Sequence, residues 1–495
     1  MGRDLRSAGT IGAVLGDGPP SGTEKDVMQG ILSAAGYVPY RRLDRSAIAE
    51  TFGSGGGRGT RAVAGYDEDT TTLGVEAARL ALRAVPDTPA QVLWFSTVAP
   101  AYLDKTNATT IHAALRLDTD VVAADFGGAI RSGVAALGTA LHTTTPTLVV
   151  TADIRDGLPT SADESAGGDA AAAILVGPDS AGPLIATLVG EGHTTEEFID
   201  RWRVPGERRS KVWEERFGET KYVPLGEQAW NTALKDAELS PDQLDRVIVT
   251  GSHGRAVRAL IARLGVDKAR VVDDLSGSVG FTGAAHPGLL LTTALETAAP
   301  GQTIALVSLA DGADVLVLRT TDALPGWTSP RTVATQIEAG ATLPYGKFLN
   351  WRGMVSVEPP RRPEPDRISA SVTGRTEHWK YGFVGSKDRA SDALHLPPAR
   401  VSRVGDGVDD MADAPMADVP GTIAAFTIDR IAYSPSPPIV FAIVDFDGGG
   451  RLPVELTDVN ADELKVGDRV EMTFRRLFAA DGVQNYFWKA RPIRG

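Results

Sequence analysis

The sequence predicts a layered α/β protein followed by a small all-β domain, and three observations carry that prediction. Short apolar runs alternate with Ala-rich amphipathic segments over residues 29–320. A Gly/Ala turn entering an apolar strand occurs twice, at 168–176 and 311–318. From residue 420 the pattern changes to two-residue alternation.

The runs at 92–97, 121–125 and 147–151 are apolar and flanked by turn residues, as buried strands are. Helical patterns lie around them at 71–84, 106–115 and 132–141. The two Gly/Ala-led strands suggest a duplicated half, each copy closing in the same way. Residues 323–419 are richer in Pro, with Trp351, Trp379, Tyr381 and Phe383 interspersed; they read as an extended linker packed on its neighbours. The stretch 406–419 is acidic and is expected to be mobile. Five strands are predicted at 421–433, 438–445, 451–458, 469–477 and 485–490, with a short helix at 461–464. That is the composition of a Greek-key barrel of OB type. The predicted division is a disordered leader (1–28), two α/β halves (29–180 and 181–322), the linker (323–419) and the barrel (420–495).

A chain of 495 residues exceeds one ordinary core. Its net charge of −13 speaks against nucleic acid as a partner, because few phosphates could be neutralised. The absence of cysteine removes disulfides, thiolate ligands and thiolate nucleophiles together, and fits a reducing, cytoplasmic setting. No apolar run reaches the roughly 18 residues of a membrane span. There is no phosphate-loop or dinucleotide fingerprint.

Three stretches carry a family resemblance: Gly65 to Thr70 before an Ala-rich helix, Gly168 to Ala172, and Phe198 to Arg203. With the loop from Leu275 to Pro287 ahead of a long apolar helix, residues 29–320 resemble hydroxymethylglutaryl-CoA synthases. The resemblance implies a duplicated thiolase-type αβαβα fold, an acyl-CoA thioester as substrate, no resident cofactor and a homodimer. From about Leu343, beginning with the run Tyr345 to Gly353, the chain resembles an acyl-CoA-associated family that pairs a zinc ribbon with an OB fold. This implies a thiolase-type partner for the barrel.

Three departures qualify what is implied. The family nucleophile is a Cys at a helix N-terminus, where the dipole favours the thiolate; Ile130 stands at the matching position, with Ser132 nearby. The family's general acid/base Glu matches Val98, and no Glu occurs from Val92 to Leu117. The two Cys pairs of the ribbon match Asp388 to Ser391 and Ser402 to Gly405, so no zinc is expected even with His395 between them. Against these losses, His253 matches the family's catalytic His, or else caps a helix. His286 is a substitute acid/base, or else a helix-start residue. Tyr102, Ile130 and Phe281 are candidate substrate contacts, and Arg203 and Arg208 belong to a basic cluster that suits the phosphates of coenzyme A or else forms a solvated, salt-bridged helix surface. His112 and His142 are read as structural, and the acidic triplet Asp67, Glu68 and Asp69 as helix capping. The expected function is C–C bond formation or cleavage on an acyl-CoA without an acyl-enzyme. Synthase-type acyl transfer and a non-catalytic scaffold remain the alternatives.

Overall fold

The computed structural model describes residues 28–358, 363–432 and 434–494, so the expected leader lies outside the described residues save for Met28. Nine strands form one sheet: β1 (Gln29–Tyr37), β2 (Val92–Ser96), β3 (Val122–Asp125), β4 (Thr147–Asp153), β5 (Ala170–Pro178), β6 (Ala186–Thr195), β7 (Arg246–Gly251), β8 (Thr303–Leu309) and β9 (Gly312–Thr320). Their order is β7-β8-β9-β6-β1-β5-β4-β2-β3. The duplication is visible in it. In each half the first strand (β1 or β6) pairs antiparallel with the last (β5 or β9). The last pairs antiparallel with the strand before it (β4 or β8), which runs parallel to an outer neighbour (β2 or β7). The halves meet where Gly30 and Ile31 pair with Thr187 and Ala186. β4, β5 and β8 are buried along their whole length, which explains their unbroken apolar sequences.

Five helices matter for the site: α1 (Thr70–Arg83), α2 (Arg131–Ala140), α3 (Glu215–Asp236), α4 (Gly254–Ile261) and α5 (His286–Glu296). Asp69 starts α1 with a capping box, accepting from the Thr72 amide while its own amide donates to the Thr72 hydroxyl. α2 and α5, one from each half, share a core through Ala136, Leu137, Leu289 and Leu290. A Cβ on Gly133 of α2 would lie 2.3 Å from the Ala284 carbonyl oxygen, so the helix approaches the turn before α5 only because no side chain intervenes.

The 323–419 segment is built into the body. Ala341–Thr342 pairs with Arg41–Asp44, and α6 (Tyr345–Trp351) buries Tyr345, Phe348 and Leu349 against Leu43, Ile48 and Val63. A three-stranded sheet, Val384–Asp388, Leu394–His395 and Met411–Pro415, occupies the expected ribbon. Its donor set does not fit a structural zinc. Asp388 accepts hydrogen bonds from the Ser391 hydroxyl and the Ala390 amide, the Ser402 hydroxyl donates to the Val404 carbonyl, and His395 Nε2 accepts from the Arg403 amide at 3.0 Å. Hydrogen bonds thus close the two turns that thiolates would otherwise join. The expectation of a mobile 406–419 is corrected: Met411–Pro415 pairs in register with Val384–Asp388, and Asp418 is held by Arg79 at 2.8 Å and Arg116 at 3.5 Å.

Five strands, β10 (Gly421–Asp429), β11 (Ile439–Phe446), β12 (Arg451–Leu456), β13 (Arg469–Ala480) and β14 (Val483–Pro492), close into a barrel in the order β10-β11-β12-β14-β13. The expected helix at 461–464 is a turn instead, because the Asn460 side chain accepts from the Asp462 amide and diverts the backbone. Phe474, Tyr486 and Trp488 of the barrel belong to one continuous core with Leu73 and Leu80 of α1.

Charges cross this same junction. Arg475 is fully buried and reaches Glu68 at 3.0 Å, Asp458 at 3.1 Å and Asp67 at 3.7 Å. Lys489 pairs with Asp67 at 3.0 Å, and Arg491 with Glu76 at 2.9 Å. Burial alone would raise the Glu76 carboxyl, but Arg79 and Arg491 beside it win and hold it at about 2. The acidic triplet is therefore only partly a cap: Asp69 has that role and also accepts from the Tyr486 hydroxyl at 2.7 Å, while Asp67 and Glu68 receive the cations of the barrel.

Arg475→Met leaves three carboxylates facing one another without their shared cation, and is expected to lower the unfolding free energy by about 3–5 kcal/mol in urea titration. Arg451→Ala, which removes an exposed partner of Asp445, is expected to leave the urea midpoint unchanged. A pH effect follows from Glu296, whose carboxyl is mostly buried, accepts from the Val333 amide at 3.1 Å, and is pushed up to about 7 by burial. Its pKa is higher folded than unfolded, so its contribution is present below about 4.5 and is lost as pH rises through about 7. Glu296→Gln is expected to flatten the fall in stability between pH 5 and 8 by about 2–3 kcal/mol, read from urea midpoints at each pH.

Candidate functional site

A cavity of about 740 Å³ opens where the body, the 199–213 segment, α6 and the barrel come together. Its floor is the N-terminal end of α2: Gly128, Ala129 and Ile130 line it, and Ile130 is the residue just before the helix. Val98, following β2, lines it as well; its amide donates to Asp153 at 2.8 Å and its carbonyl accepts from Arg203. The two positions matched to nucleophile and base thus share one wall, and both are apolar.

The second half contributes Tyr222 from α3, Ser252, Ala310 and Asp311. Asp311 turns β8 into β9 with φ of +47°, a left-handed conformation that a side chain adopts at a cost. It lines the cavity, and partial desolvation raises its carboxyl, with Arg131 opposing. The Tyr222 phenol is buried, which raises it further above its ordinary value, with Asp200 and Asp311 adding to the effect. It therefore keeps its proton and stays a hydrogen-bond donor at any ordinary pH. The Asp311 amide donates to its oxygen at 3.4 Å.

The histidines occupy different places. Both ring nitrogens of His253 are engaged by backbone: Nδ1 accepts from the Ala256 amide at 3.0 Å, capping α4, and Nε2 lies 2.7 Å from the Glu215 carbonyl. It sits one layer behind the wall, its ring 5.9 Å from that of Tyr222. His253 Cδ2 and Asp200 Oδ1 both lie within 3 Å of where a Gly218 Cβ would be. His286 is fully buried at the start of α5, with Nδ1 3.1 Å from the Thr282 hydroxyl. Burial pushes its pKa down to about 4, so it is neutral near pH 7. Phe281 packs against it with ring centroids 5.1 Å apart. Neither histidine and neither Phe281 nor Tyr102 is part of the cavity wall as described. The Tyr102 hydroxyl accepts from the Gln484 amide of the barrel and serves the junction.

The basic cluster does reach the cavity. Arg203 and Arg208 line it, the latter paired with Asp156 at 3.1 Å. Arg201, Arg155 and Arg352 join them from the body, and Arg476 from the barrel. Arg201 is tied to Asp163, and Arg352 to Asp169 and Asp156. Sequence reasoning singled out neither Tyr222 and Asp311 nor Arg155. The one signal available for Asp311 was an Asp, not a Gly, at the head of the second Gly/Ala turn.

Comparison with known proteins gives this geometry a lineage. A family profile described as "ChsH2, C-terminal OB-fold domain" matches residues 414–475. One described as "3-Oxoacyl-[acyl-carrier-protein (ACP)] synthase III C terminal" matches residues 234–318. The hydroxymethylglutaryl-CoA synthase of Pyrococcus furiosus is 30% identical over 298 residues, which are 58% of this chain and 84% of that protein. Its counterpart in Pyrococcus horikoshii is 29% identical over the same length. A crystal structure of a hydroxymethylglutaryl-CoA synthase complexed with CoA superposes with a TM-score of 0.58 at 17% identity, over 69% of this chain and 94% of that one. A structure of Xanthomonas campestris OleA superposes with a TM-score of 0.52 at 17% identity, over 59% and 98%. At such identities the solved structures establish the shared fold, and the sequence relatives establish descent: the chain belongs to the hydroxymethylglutaryl-CoA synthase family of the thiolase superfamily, carrying a C-terminal OB-fold domain of the ChsH2 type.

Proposed function

We propose that the cavity binds an acyl-CoA thioester and makes or breaks the carbon–carbon bond next to the thioester carbonyl, without an acyl-enzyme. The observation that carries this reading is the cavity floor at the N-terminal end of α2, where Gly128, Ala129 and Ile130 stand and nothing in the chain is a cysteine. Acyl transfer of the synthase type needs a nucleophile there. Aldol chemistry does not; it needs a base, a donor for the enolate oxygen and a way to hold the substrate.

Asp311 and Tyr222 supply the first two. In the cleavage direction Asp311 takes the proton of a β-hydroxyl, the Cβ–O bond becomes a carbonyl, and the Cα–Cβ bond breaks. Its electron pair enters the thioester as an enolate, whose oxygen accepts a hydrogen bond from Tyr222. The proton on Asp311 then returns to Cα, leaving a shortened acyl-CoA and an aldehyde or ketone. Arg203 and Arg208 hold the phosphates of the coenzyme near the mouth. A fold relative was solved with CoA bound, which supports the ligand class. No resident cofactor is needed, since the coenzyme arrives with the substrate.

The fused barrel takes up in cis the position that a separate OB-fold partner would hold on a thiolase-type body. A homodimer through the open sheet edge at β3, where Val122 is exposed, and a cytoplasmic setting complete the proposal. Among the described residues no helix is long and apolar enough to cross a membrane.

A non-catalytic role has one observation in its favour: neither His253 nor His286 reaches the cavity. The test separates the two readings. With 3-hydroxyacyl-CoA thioesters, carbonyl product is expected from the native chain, and Asp311→Asn is expected to slow it by about 10²–10⁴-fold while CoA affinity in calorimetry stays within about twofold. Equal rates for the native chain and Asp311→Asn would remove that carboxylate from the chemistry, and no product from any 3-hydroxyacyl-CoA would favour the scaffold.

A further inference from the structure

Lys380 ends the short helix Glu377–Lys380, between the expected ribbon and the barrel. Its backbone is pinned on both sides. Trp379 packs on Phe383 and Phe487, with ring centroids 5.0 and 5.5 Å away, and the Tyr381 carbonyl accepts from Trp488 Nε1 at 2.7 Å. The residue is half-buried, and its Nζ donates to two oxygens of β14: the Asn485 side-chain carbonyl and, at 2.8 Å, the Tyr486 main-chain carbonyl. Both acceptors are neutral. Among the described residues this amine makes no ion pair and no third hydrogen bond. The Tyr381 ring lies 5.6 Å from it. Lys211, Lys221, Lys387 and Lys489, by contrast, each hold a carboxylate.

An ammonium has three N–H donors, whereas a neutral amine has two and a lone pair. Two acceptors therefore match the neutral form, whose lone pair takes the third corner of the nitrogen, away from both carbonyls. Burial acts in the same direction: it pushes the amine down to about 8, and no charged neighbour opposes it. At pH 8 about half of Lys380 is then neutral, against about 0.3% of a lysine at its ordinary value. A less basic amine is a weaker nucleophile. With a Brønsted slope like that of thiols, ~0.4–0.5, this takes back roughly tenfold of a ~150-fold gain and leaves roughly tenfold. No carboxylic acid or histidine hydrogen-bonds the amine, so an electrophile must bring its own good leaving group, as a thioester does.

We propose that Lys380 is a modification site, a nucleophilic amine that takes an acyl group directly from acyl thioesters. The lone pair of Nζ adds to the thioester carbonyl carbon, the C–N bond forms, the C–S bond breaks, and one N–H proton passes through water to the departing thiolate. The products are an Nε-acyl-lysine and a free thiol. The amide keeps a single N–H for two acceptors, so acylation releases one of the two ties between the helix and β14. Lys380 does not line the cavity, and its reaction is independent of the chemistry proposed there.

The experiment is peptide mapping by mass spectrometry of the full chain after brief exposure to acetyl-CoA, or to S-acetyl-N-acetylcysteamine, a thioester that carries no nucleotide. The exposed Lys268 and Lys465 serve as internal references. At pH 8 Lys380 is expected to be acetylated about tenfold faster than either, with both reagents. Its rate is expected to level off above about pH 9, while theirs keep rising. Asn485→Asp sets a carboxylate beside the amine and favours the ammonium. It is expected to bring the Lys380 rate down to that of the references and leave theirs unchanged. A Lys380 rate in the native chain no higher than that of the references would overturn the site, and so would an advantage that survives Asn485→Asp. An advantage confined to acetyl-CoA would overturn it as well, since that assigns the reaction to binding of the coenzyme and not to the amine.

Discussion

The paired charges between the turn before α1 and strands β13 and β14 hold the rest of the structure in place. Arg475, Lys489 and Arg491 enter a body that offers Asp67, Glu68 and Glu76, and Tyr37 bridges the set, donating to Glu68 at 2.7 Å. None of these groups tolerates burial alone, because a lone buried charge costs several kcal/mol. The barrel is therefore seated in one register, and the apolar core that runs from Leu73 to Trp488 closes behind it. The cavity depends on this seating. Tyr66 and Arg476 meet on its wall through a hydrogen bond from Arg476 to the Tyr66 carbonyl at 2.9 Å, so one wall is made of both domains.

Much of the architecture was legible because it rests on local periodicity. Buried strands such as β4 and β5 have unbroken apolar sequences, and the barrel strands alternate as half-buried strands do. The closing strands of the two halves were readable from their Gly/Ala turns. What stayed hidden was contact between distant residues. Asp67 and Glu68 look like the first turn of a helix, and their cations lie some 400 positions away. His253 looks like a catalytic residue at a strand-to-helix elbow, and only the fold reveals the Glu215 carbonyl that occupies its second nitrogen. Asp311 was read as part of a turn, and only the fold sets Tyr222 of α3 beside it.

The lost features share a logic. Ile130 and Val98, the positions matched to nucleophile and base, are both apolar on the cavity wall, and the turns of the expected ribbon are closed by hydrogen bonds from Ser391 to Asp388 and from Ser402 to the Val404 carbonyl. The surrounding scaffold is complete: the N-terminal end of α2 meets the cavity, the turns at 388–391 and 402–404 are closed, and the barrel is docked. Polar groups have instead gathered on the second half of the cavity, around Asp311 and Tyr222. It is this arrangement on which the proposed proton transfer and enolate stabilisation rest.

The most direct measurement is intact-protein mass spectrometry during incubation of the full chain with 3-hydroxyacyl-CoA, with products followed in parallel. Chemistry without a covalent intermediate predicts carbonyl product and a protein mass that never changes. A protein population heavier by one acyl group, appearing as CoA is released, would contradict it.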